Sequence, residues 1–181
     1  MELLNNFIEI SRGLVLAPSI ESVLALFATS LLNELFGIIP YTIILSGQMV
    51  FVGAPISLTL LAKLFIFVAL PVSVGTALGS LLIYSIAYWG GKPAIEKFGR
   101  RIRLSWESVE KAQSYFRGSW YDEIIFLGLR TVPFMPGLPV AAAAGILRMR
   151  VSIYLLLTAL GSMIKVMIMC ILVVLGAQVV V

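Results

Sequence analysis

The fold of this chain is decided by residues 130–145, RTVPFMPGLPVAAAAG, which place an arginine and three prolines inside an apolar region. Pro133, Pro136 and Pro139 each remove a backbone donor and clash with the preceding turn, so one straight membrane helix cannot contain them. Irregular backbone at membrane depth persists only where it is buried in protein or lines a wet cavity. Residues 124–147 are therefore predicted to form a broken, re-entrant hairpin.

The composition indicates an integral membrane protein. The 181 residues are 60% hydrophobic and 12% charged, whereas soluble domains carry about 25% charged residues. Mean hydropathy is +1.05. A single membrane domain is expected over residues 1–181. The net charge of +4 does not indicate a nucleic-acid partner, because most basic residues fall in one short loop.

The absence of histidine and the presence of one cysteine limit the kinds of site that can be expected. The absence of histidine argues against a zinc site and a histidine-based catalytic triad, and no metal or other cofactor is expected. The single cysteine, Cys170, lies in an apolar run, which predicts inert packing. No cleavable signal peptide is expected, because the first 12 residues carry Glu2, Glu9 and Arg12.

Three apolar segments are predicted to span the membrane, at residues 14–33, 56–89 and 151–176. As one helix, residues 56–89 would measure about 51 Å, which exceeds the ~30 Å hydrocarbon core. A kink is therefore expected at Pro71 and Gly75.

The long middle span carries two further patterns. Gly75 and Gly79 share one helix face, which predicts close approach of another helix. Tyr84, Tyr88 and Trp89 near its end predict an aromatic belt at the membrane interface.

Residues 34–55 form a second broken apolar segment, which starts with Glu34. This segment is interpreted as the first re-entrant hairpin, and the pair indicates a pseudo-inverted repeat, with which many transporters build a midplane site. The small residues Ala141–Gly145 are expected to pack against this first hairpin. The residues predicted to shape the two hairpins are Pro40, Gly47, Pro133, Pro136, Pro139 and Gly145.

Residues 90–122 are the one long polar stretch, and they are rich in lysine and arginine. Ser105 is a predicted N-cap and Gly118 a predicted C-terminal cap. Between them, apolar residues from Trp106 to Phe116 recur at helical spacing, which predicts an amphipathic helix on the membrane surface. The basic residues either mark the cytoplasmic side or bind anionic lipid.

The positive-inside rule orients the chain with the 90–122 linker in the cytoplasm. Re-entry of the second hairpin places Arg148 and Arg150 on that side as well, whereas a spanning hairpin would place them on the opposite side. The two hairpins then enter from opposite faces, so their tips meet near the midplane. The expected location is the cell membrane.

Four sets of residues, in this order along the chain, resemble one family. They are Glu34, Pro40 and Gly47; Gly79 to Tyr84 with Trp89-Gly90-Gly91; Ser105 to Gly118; and Arg130, Pro133 and Pro136 with Ala144-Gly145. Together they are similar to the DedA family, also called the VTT-domain or SNARE-associated Golgi protein family, over about residues 15–176 of this sequence.

The resemblance implies two oppositely entering hairpins and lipid transport, in bacterial members with dependence on the proton-motive force. Glu34 matches the acid of the family's first hairpin, and Arg130 matches the arginine of its second. This chain departs from the family pattern at Ser46, where many members have a second acid, and at Pro136, where many have a second arginine. Lys165 replaces the usual tryptophan of the last span.

Three charged residues are the candidates for function. Arg130 and Lys165 are predicted to bind a lipid phosphate, and Glu34 is predicted to couple transport to protons. Structural alternatives remain open for each. Arg130 can pair with Glu34 or a hairpin carbonyl, Glu34 can be an interfacial acid or the counter-ion of the arginine, and Lys165 can pair with Glu34 or Glu21.

The predicted function is a flippase or scramblase for a phospholipid or an isoprenyl (polyprenyl) phosphate. Coupling to protons and assembly into a homo-oligomer are further hypotheses. A lipid phosphatase is the enzyme alternative. It is disfavoured because such enzymes need a histidine or an acid cluster, and Asp122 with Glu123 is the one adjacent acid pair. The third alternative is a membrane scaffold or assembly subunit without transport activity.

Overall fold

The computed structural model describes residues 19–36, 57–101, 104–116, 121–133 and 135–180. Within these ranges the regular structure is helical and no strand occurs, as an all-α fold requires. In chain order the α-helices are α1 (Ile20–Phe36), α2 (Leu58–Leu64), α3 (Leu70–Phe98), α4 (Trp106–Gln113), α5 (Asp122–Thr131), α6 (Gly137–Ile146) and α7 (Val151–Val180). A π-helical turn, Phe65–Ala69, joins α2 to α3, and a 3-10 turn, Gly99–Arg101, follows α3.

Among the described residues, two helical stretches are long and apolar enough to cross a membrane. They are Leu58–Phe98, with 41 residues, and Val151–Leu172, with 22. They correspond to the predicted spans 56–89 and 151–176. The predicted first span, 14–33, is described from residue 19 onward, where it belongs to α1, a helix of 17 residues.

The long helical stretch is irregular at two places. The π turn Phe65–Ala69 ends two residues before Pro71, whose ring nitrogen cannot donate to the carbonyl one turn earlier. Gly91 has φ 56° and ψ −149°, a conformation that side-chain-bearing residues rarely adopt. Gly75, where part of the kink was expected, lies within regular helix instead.

Two glycines of α3 allow α1 to pack closely against it. A Cβ atom added at Gly75 would lie 2.5 Å from the carbonyl oxygen of Phe27, and one at Gly79 would lie 2.6 Å from that of Leu31. No side chain fits at these distances, so the predicted close approach of a helix at Gly75 and Gly79 is confirmed.

Helices α5 and α6 occupy the segment predicted as the second hairpin. Each has 10 residues, which is about 15 Å, or half of a ~30 Å hydrocarbon core. Val132 has an extended backbone (φ −64°, ψ 123°), the conformation that a following proline, here Pro133, favours. Pro136 is the N-cap residue of α6, and Pro139 lies in its first turn, where a missing N–H breaks no helical bond.

The small residues of α6 pack against α3. Ala141–Gly145 are buried, and a Cβ atom added at Gly145 would lie 2.8 Å from the Cβ of Ala87 and 3.1 Å from the backbone nitrogen of Tyr88. The sequence predicted that this run packs against the first hairpin. The contact that the structure shows is with α3, because α3 presents its backbone and a small side chain there. Residues 37–56, including Pro40 and Gly47, lie outside the described residues.

Helix α4 begins where the sequence predicted. The Ser105 side chain accepts a hydrogen bond from the backbone N–H of Ser108 at 3.2 Å. The helix ends at Gln113, earlier than the predicted cap Gly118, which lies outside the described residues. Val109 and Ala112 are buried in the same core as α6, so the apolar face that was predicted to lie on lipid packs against protein instead.

The predicted aromatic belt is wrong at Tyr84. Tyr84 is buried at 2% exposure, whereas Trp89 is 86% exposed. The Tyr84 ring stacks on Tyr154 of α7 with ring centroids 4.3 Å apart, and its hydroxyl donates to the carbonyl oxygen of Met149. Tyr84 therefore joins α3 to the start of α7, because its helix face points into the protein.

The turn after α6 carries a positive φ without a glycine. The backbone N–H of Arg148 donates to Gly145 at 3.0 Å and that of Met149 donates to Ala144 at 3.1 Å, the two bonds of a Schellman motif. Arg148 occupies the left-handed position with φ 53°. Its guanidinium lies 5.8 Å from the ring centroid of Tyr88.

Candidate functional site

The structure joins two of the predicted site residues in a buried ion pair. Arg130 Nη1 donates to Glu34 Oε1 at 2.9 Å. The two residues are 5% and 9% exposed, respectively. Glu34 lies near the C-terminal end of α1, and Arg130 lies in the last turn of α5, just before the proline-rich break. The pairing matches the structural alternative that the sequence left open for both residues.

Glycines bring the backbone close to this ion pair from three sides. A Cβ atom added at Gly79 would lie 3.1 Å from the Cβ of Glu34, and one at Gly161 would lie 2.6 Å from the Cβ of Arg130. At Gly137, the first residue of α6, it would lie 2.6 Å from Glu34 Oε1 and 2.8 Å from Arg130 Nη1. Helices α3, α6 and α7 thus enclose the pair without contributing side chains at these positions.

A third polar residue, Tyr154, completes the site. Arg130 Nη2 donates to Tyr154 Oη at 3.2 Å, and Tyr154 is fully buried. Tyr154 Oη in turn donates to Ser80, whose Oγ lies at 2.7 Å and whose carbonyl oxygen lies at 3.2 Å. The Phe126 ring lies 5.7 Å from the Arg130 guanidinium carbon, one turn earlier on α5.

Sequence reasoning missed Tyr154 and Ser80. A signal was present, because Tyr154, Thr158, Gly161 and Lys165 follow one another at spacings of four, three and four residues. That spacing places them on one face of α7. A polar stripe on an apolar helix indicates a face turned toward a polar partner.

Two buried polar atoms of the site have no hydrogen-bond partner among the described residues. They are Arg130 Nε and Thr158 Oγ1. The guanidinium therefore keeps an N–H donor on one edge that no described protein group satisfies. Buried donors are rarely left unpaired, which makes this edge of the guanidinium a candidate position for an additional acceptor.

Lys165 is the last residue of the polar stripe on α7. It is half-buried, and its Nζ donates to the carbonyl oxygen of Met135 at 3.2 Å. Within the described residues no ion pair joins Lys165 to Glu34 or to Glu21. The lysine is thus bonded to the backbone of the proline-rich break, five residues after Arg130.

With this geometry in place, the comparison with known families is decisive. The family model of the VTT domain matches residues 21–175. This chain belongs to the VTT-domain family. The match confirms the resemblance to the DedA and SNARE-associated proteins and covers every described site residue. Together with the two long apolar helices, VTT-domain membership identifies a membrane protein.

One curated relative is similar to this VTT-domain protein over part of its length. The "Alkaline phosphatase-like protein" of Lactococcus lactis subsp. lactis (strain IL1403) is 30% identical over 97 residues. These residues are 51% of this chain and 44% of the relative, so the match spans less than half of the relative's length. No solved structure matches this VTT-domain protein.

Proposed function

We propose that this protein moves a phosphate-bearing lipid, a phospholipid or an isoprenyl phosphate, across the bilayer as a flippase or scramblase. The observation that carries the proposal is the buried ion pair of Arg130 and Glu34 at 2.9 Å. Ionisable residues inside a membrane protein are costly and are commonly retained for function. This pair also lies beside a helix break, as substrate sites in transporters do.

The chemistry of Arg130 supports a phosphate as the ligand. Guanidinium groups donate two parallel hydrogen bonds to phosphate oxygens. The Nε–H of Arg130 has no hydrogen-bond partner among the described residues. Lys165, bonded to Met135 O at 3.2 Å, supplies a second cation near the same break. The lipid tail would remain in the bilayer while these groups bind the headgroup.

The pairing with Glu34 supports a proton-coupled exchange. Removing one partner of a buried ion pair costs about 3–5 kcal/mol, because it leaves an uncompensated charge. Arg130 is therefore expected to exchange the Glu34 carboxylate for another anion rather than to remain without a counter-ion. Protonation of Glu34 would weaken its bond to Arg130 as the lipid phosphate arrives, and deprotonation would return the pair and release the lipid.

The membrane arrangement is part of the same proposal. The two broken segments, 34–55 and 124–147, enter from opposite faces of the cell membrane, and the 90–122 linker is cytoplasmic. The short lengths of α5 and α6, 10 residues each, support this arrangement, because each reaches only about halfway across the hydrocarbon core.

Transbilayer movement of labelled lipids in proteoliposomes tests the proposal. We expect wild type to move a phospholipid or an isoprenyl phosphate, and Arg130→Ala to abolish the movement. Arg100→Ala, which removes an exposed arginine, serves as the matched control. In the same vesicles, Glu34→Gln is expected to remove the response to a pH gradient.

Two outcomes would redirect the assignment. Movement no faster than in protein-free vesicles for both lipids would contradict transport and favour a membrane scaffold. Release of inorganic phosphate from the lipid would instead favour an enzyme. A phosphatase activity is what the name of the Lactococcus relative suggests for that protein. We expect no such release here, since the chain contains no histidine.

A further inference from the structure

We infer that Tyr154 is a positioning residue that holds the Arg130 guanidinium in place while its anionic partner is exchanged. The inference rests on the proposed function, because it assigns a role in binding the lipid phosphate. The contact that carries it is the hydrogen bond from Arg130 Nη2 to Tyr154 Oη at 3.2 Å, between two buried side chains.

A series of hydrogen bonds links Arg130 to the backbone of α3, and chemistry fixes which group donates in each of them. Arginine has donors only, so Tyr154 Oη must accept from Arg130 and direct its own hydrogen elsewhere. That hydrogen goes to Ser80, with Oγ at 2.7 Å. Ser80 Oγ donates in turn to the carbonyl oxygen of Ala77 at 2.9 Å. The series ends on the backbone of α3, and both acceptors of the phenol hydrogen belong to Ser80.

The hydrogen bonds hold the hydroxyl of Tyr154, and aromatic packing holds its ring. The ring stacks on Tyr84 at 4.3 Å and lies 5.5 Å from the Phe126 ring. Phe126 is also the ring beside the Arg130 guanidinium, at 5.7 Å. Tyr154 is thus held independently of Glu34, by residues of α3 and α5.

This independence gives the two partners of Arg130 different roles. Glu34 is charged and exchangeable, whereas Tyr154 is neutral and anchored through Ser80. When the carboxylate leaves Nη1, the bond at Nη2 remains and keeps the guanidinium from turning away. The Nε–H, which has no described partner, then stays directed at the position where the phosphate binds.

Equilibrium binding of geranyl monophosphate to the purified full chain in detergent, with geraniol as the uncharged comparison, tests this role. Tyr154→Phe removes the hydroxyl and keeps the ring. We expect it to weaken geranyl monophosphate binding about tenfold, the scale of a lost hydrogen bond to a charged group. Binding of geraniol should not change. Tyr84→Phe is the matched control, because its hydroxyl bonds to Met149 O rather than to Arg130, and it should change binding less than about twofold.

Ser80→Ala provides a second variant, which keeps Tyr154 but removes its preferred acceptor. A smaller loss of phosphate binding than in Tyr154→Phe is expected, because the Ser80 carbonyl oxygen at 3.2 Å remains available. Equal losses in Tyr154→Phe and Tyr84→Phe, or equal losses for geranyl monophosphate and geraniol, would overturn the inference.

Thermal unfolding separates this inference from the proposed function. Glu34→Ala and Tyr154→Phe each remove one contact of the same guanidinium, so their losses in melting temperature should not add. The double variant should lose more than the two single variants together, because Arg130 then has neither anchor. Absence of lipid binding in wild type with such coupling would refute the substrate but leave the positioning role. Strictly additive losses would refute the role itself.

Discussion

Arg130 and Glu34 are 96 residues apart in the chain, and their side chains meet at 2.9 Å in the interior of the protein. The contact joins α1, which leads into the first predicted hairpin, to α5, which opens the second. A contact between these two charged residues is expected if both hairpins reach the midplane, as the sequence predicted.

Removal of the Glu34 carboxylate should destabilise the protein strongly. Glu34→Ala leaves the buried Arg130 without its counter-ion, for which we expect a loss of about 3 kcal/mol in the free energy of unfolding. Glu34→Gln retains an acceptor oxygen and should lose less. Denaturant unfolding in detergent, followed by tryptophan fluorescence, measures both. A loss below about 0.5 kcal/mol for Glu34→Ala would show that the pair is not desolvated.

Gly137 should not accept a side chain unless the ion pair shifts. A methyl group there would lie 2.6 Å from Glu34 Oε1 and 2.8 Å from Arg130 Nη1, so Gly137→Ala must displace the ion pair. We expect a destabilisation of about 1–3 kcal/mol and loss of lipid movement. Gly128→Ala, on α5, is the control, since nothing lies within 4 Å of its added Cβ. That change should be neutral or stabilise by up to about 1 kcal/mol.

The protein should be more stable with glycine at position 148 than with alanine. Its φ of 53° is left-handed, where a Cβ atom costs about 1–2 kcal/mol. Arg148→Gly and Arg148→Ala both remove the contact with the Tyr88 ring, so the difference between them reports the backbone alone. The glycine variant should be more stable than the alanine variant by about 1 kcal/mol. Equal thermal stabilities would show that the turn relaxes when the side chain is shortened.

The side of the membrane reached by Arg150 decides whether the second hairpin is re-entrant. We expect cysteines at Lys97 and Arg150, placed in a Cys170→Ser background, to react with a membrane-impermeant maleimide from the cytoplasmic face. Both native residues are exposed, so access should not limit the reaction. Reaction from opposite faces would establish that residues 124–147 cross the membrane instead.

Several features of the fold could be predicted from the sequence, because each depends on residues that are close together in the chain. The break between α5 and α6 follows from the steric demands of Pro133 and Pro136, and the start of α4 follows from the side chain of Ser105. The spacing of Gly75 and Gly79 likewise predicted a close helix contact, since only glycine permits it at such distances.

The sequence did not predict which helix or residue each of these elements would contact. An apolar stripe such as that of α4 fits a lipid surface or a neighbouring helix equally well, and only the fold selects α6. Tyr84 resembles an interface aromatic by its position in a uniformly apolar helix, whose composition does not distinguish its faces. Tyr154 contacts Ser80 only in the folded protein, because the two residues are 74 positions apart in the sequence.

The distance of 96 residues between Glu34 and Arg130 also sets an order of events during synthesis. Ribosomes add about 5–20 residues per second, so Glu34 leaves the ribosome roughly 5–20 s before Arg130. An unpaired carboxylate is costly in hydrocarbon. Throughout that interval the acid must carry its proton or stay in contact with water. We therefore expect the charged Glu34 carboxylate to be buried only once α5 has been synthesised.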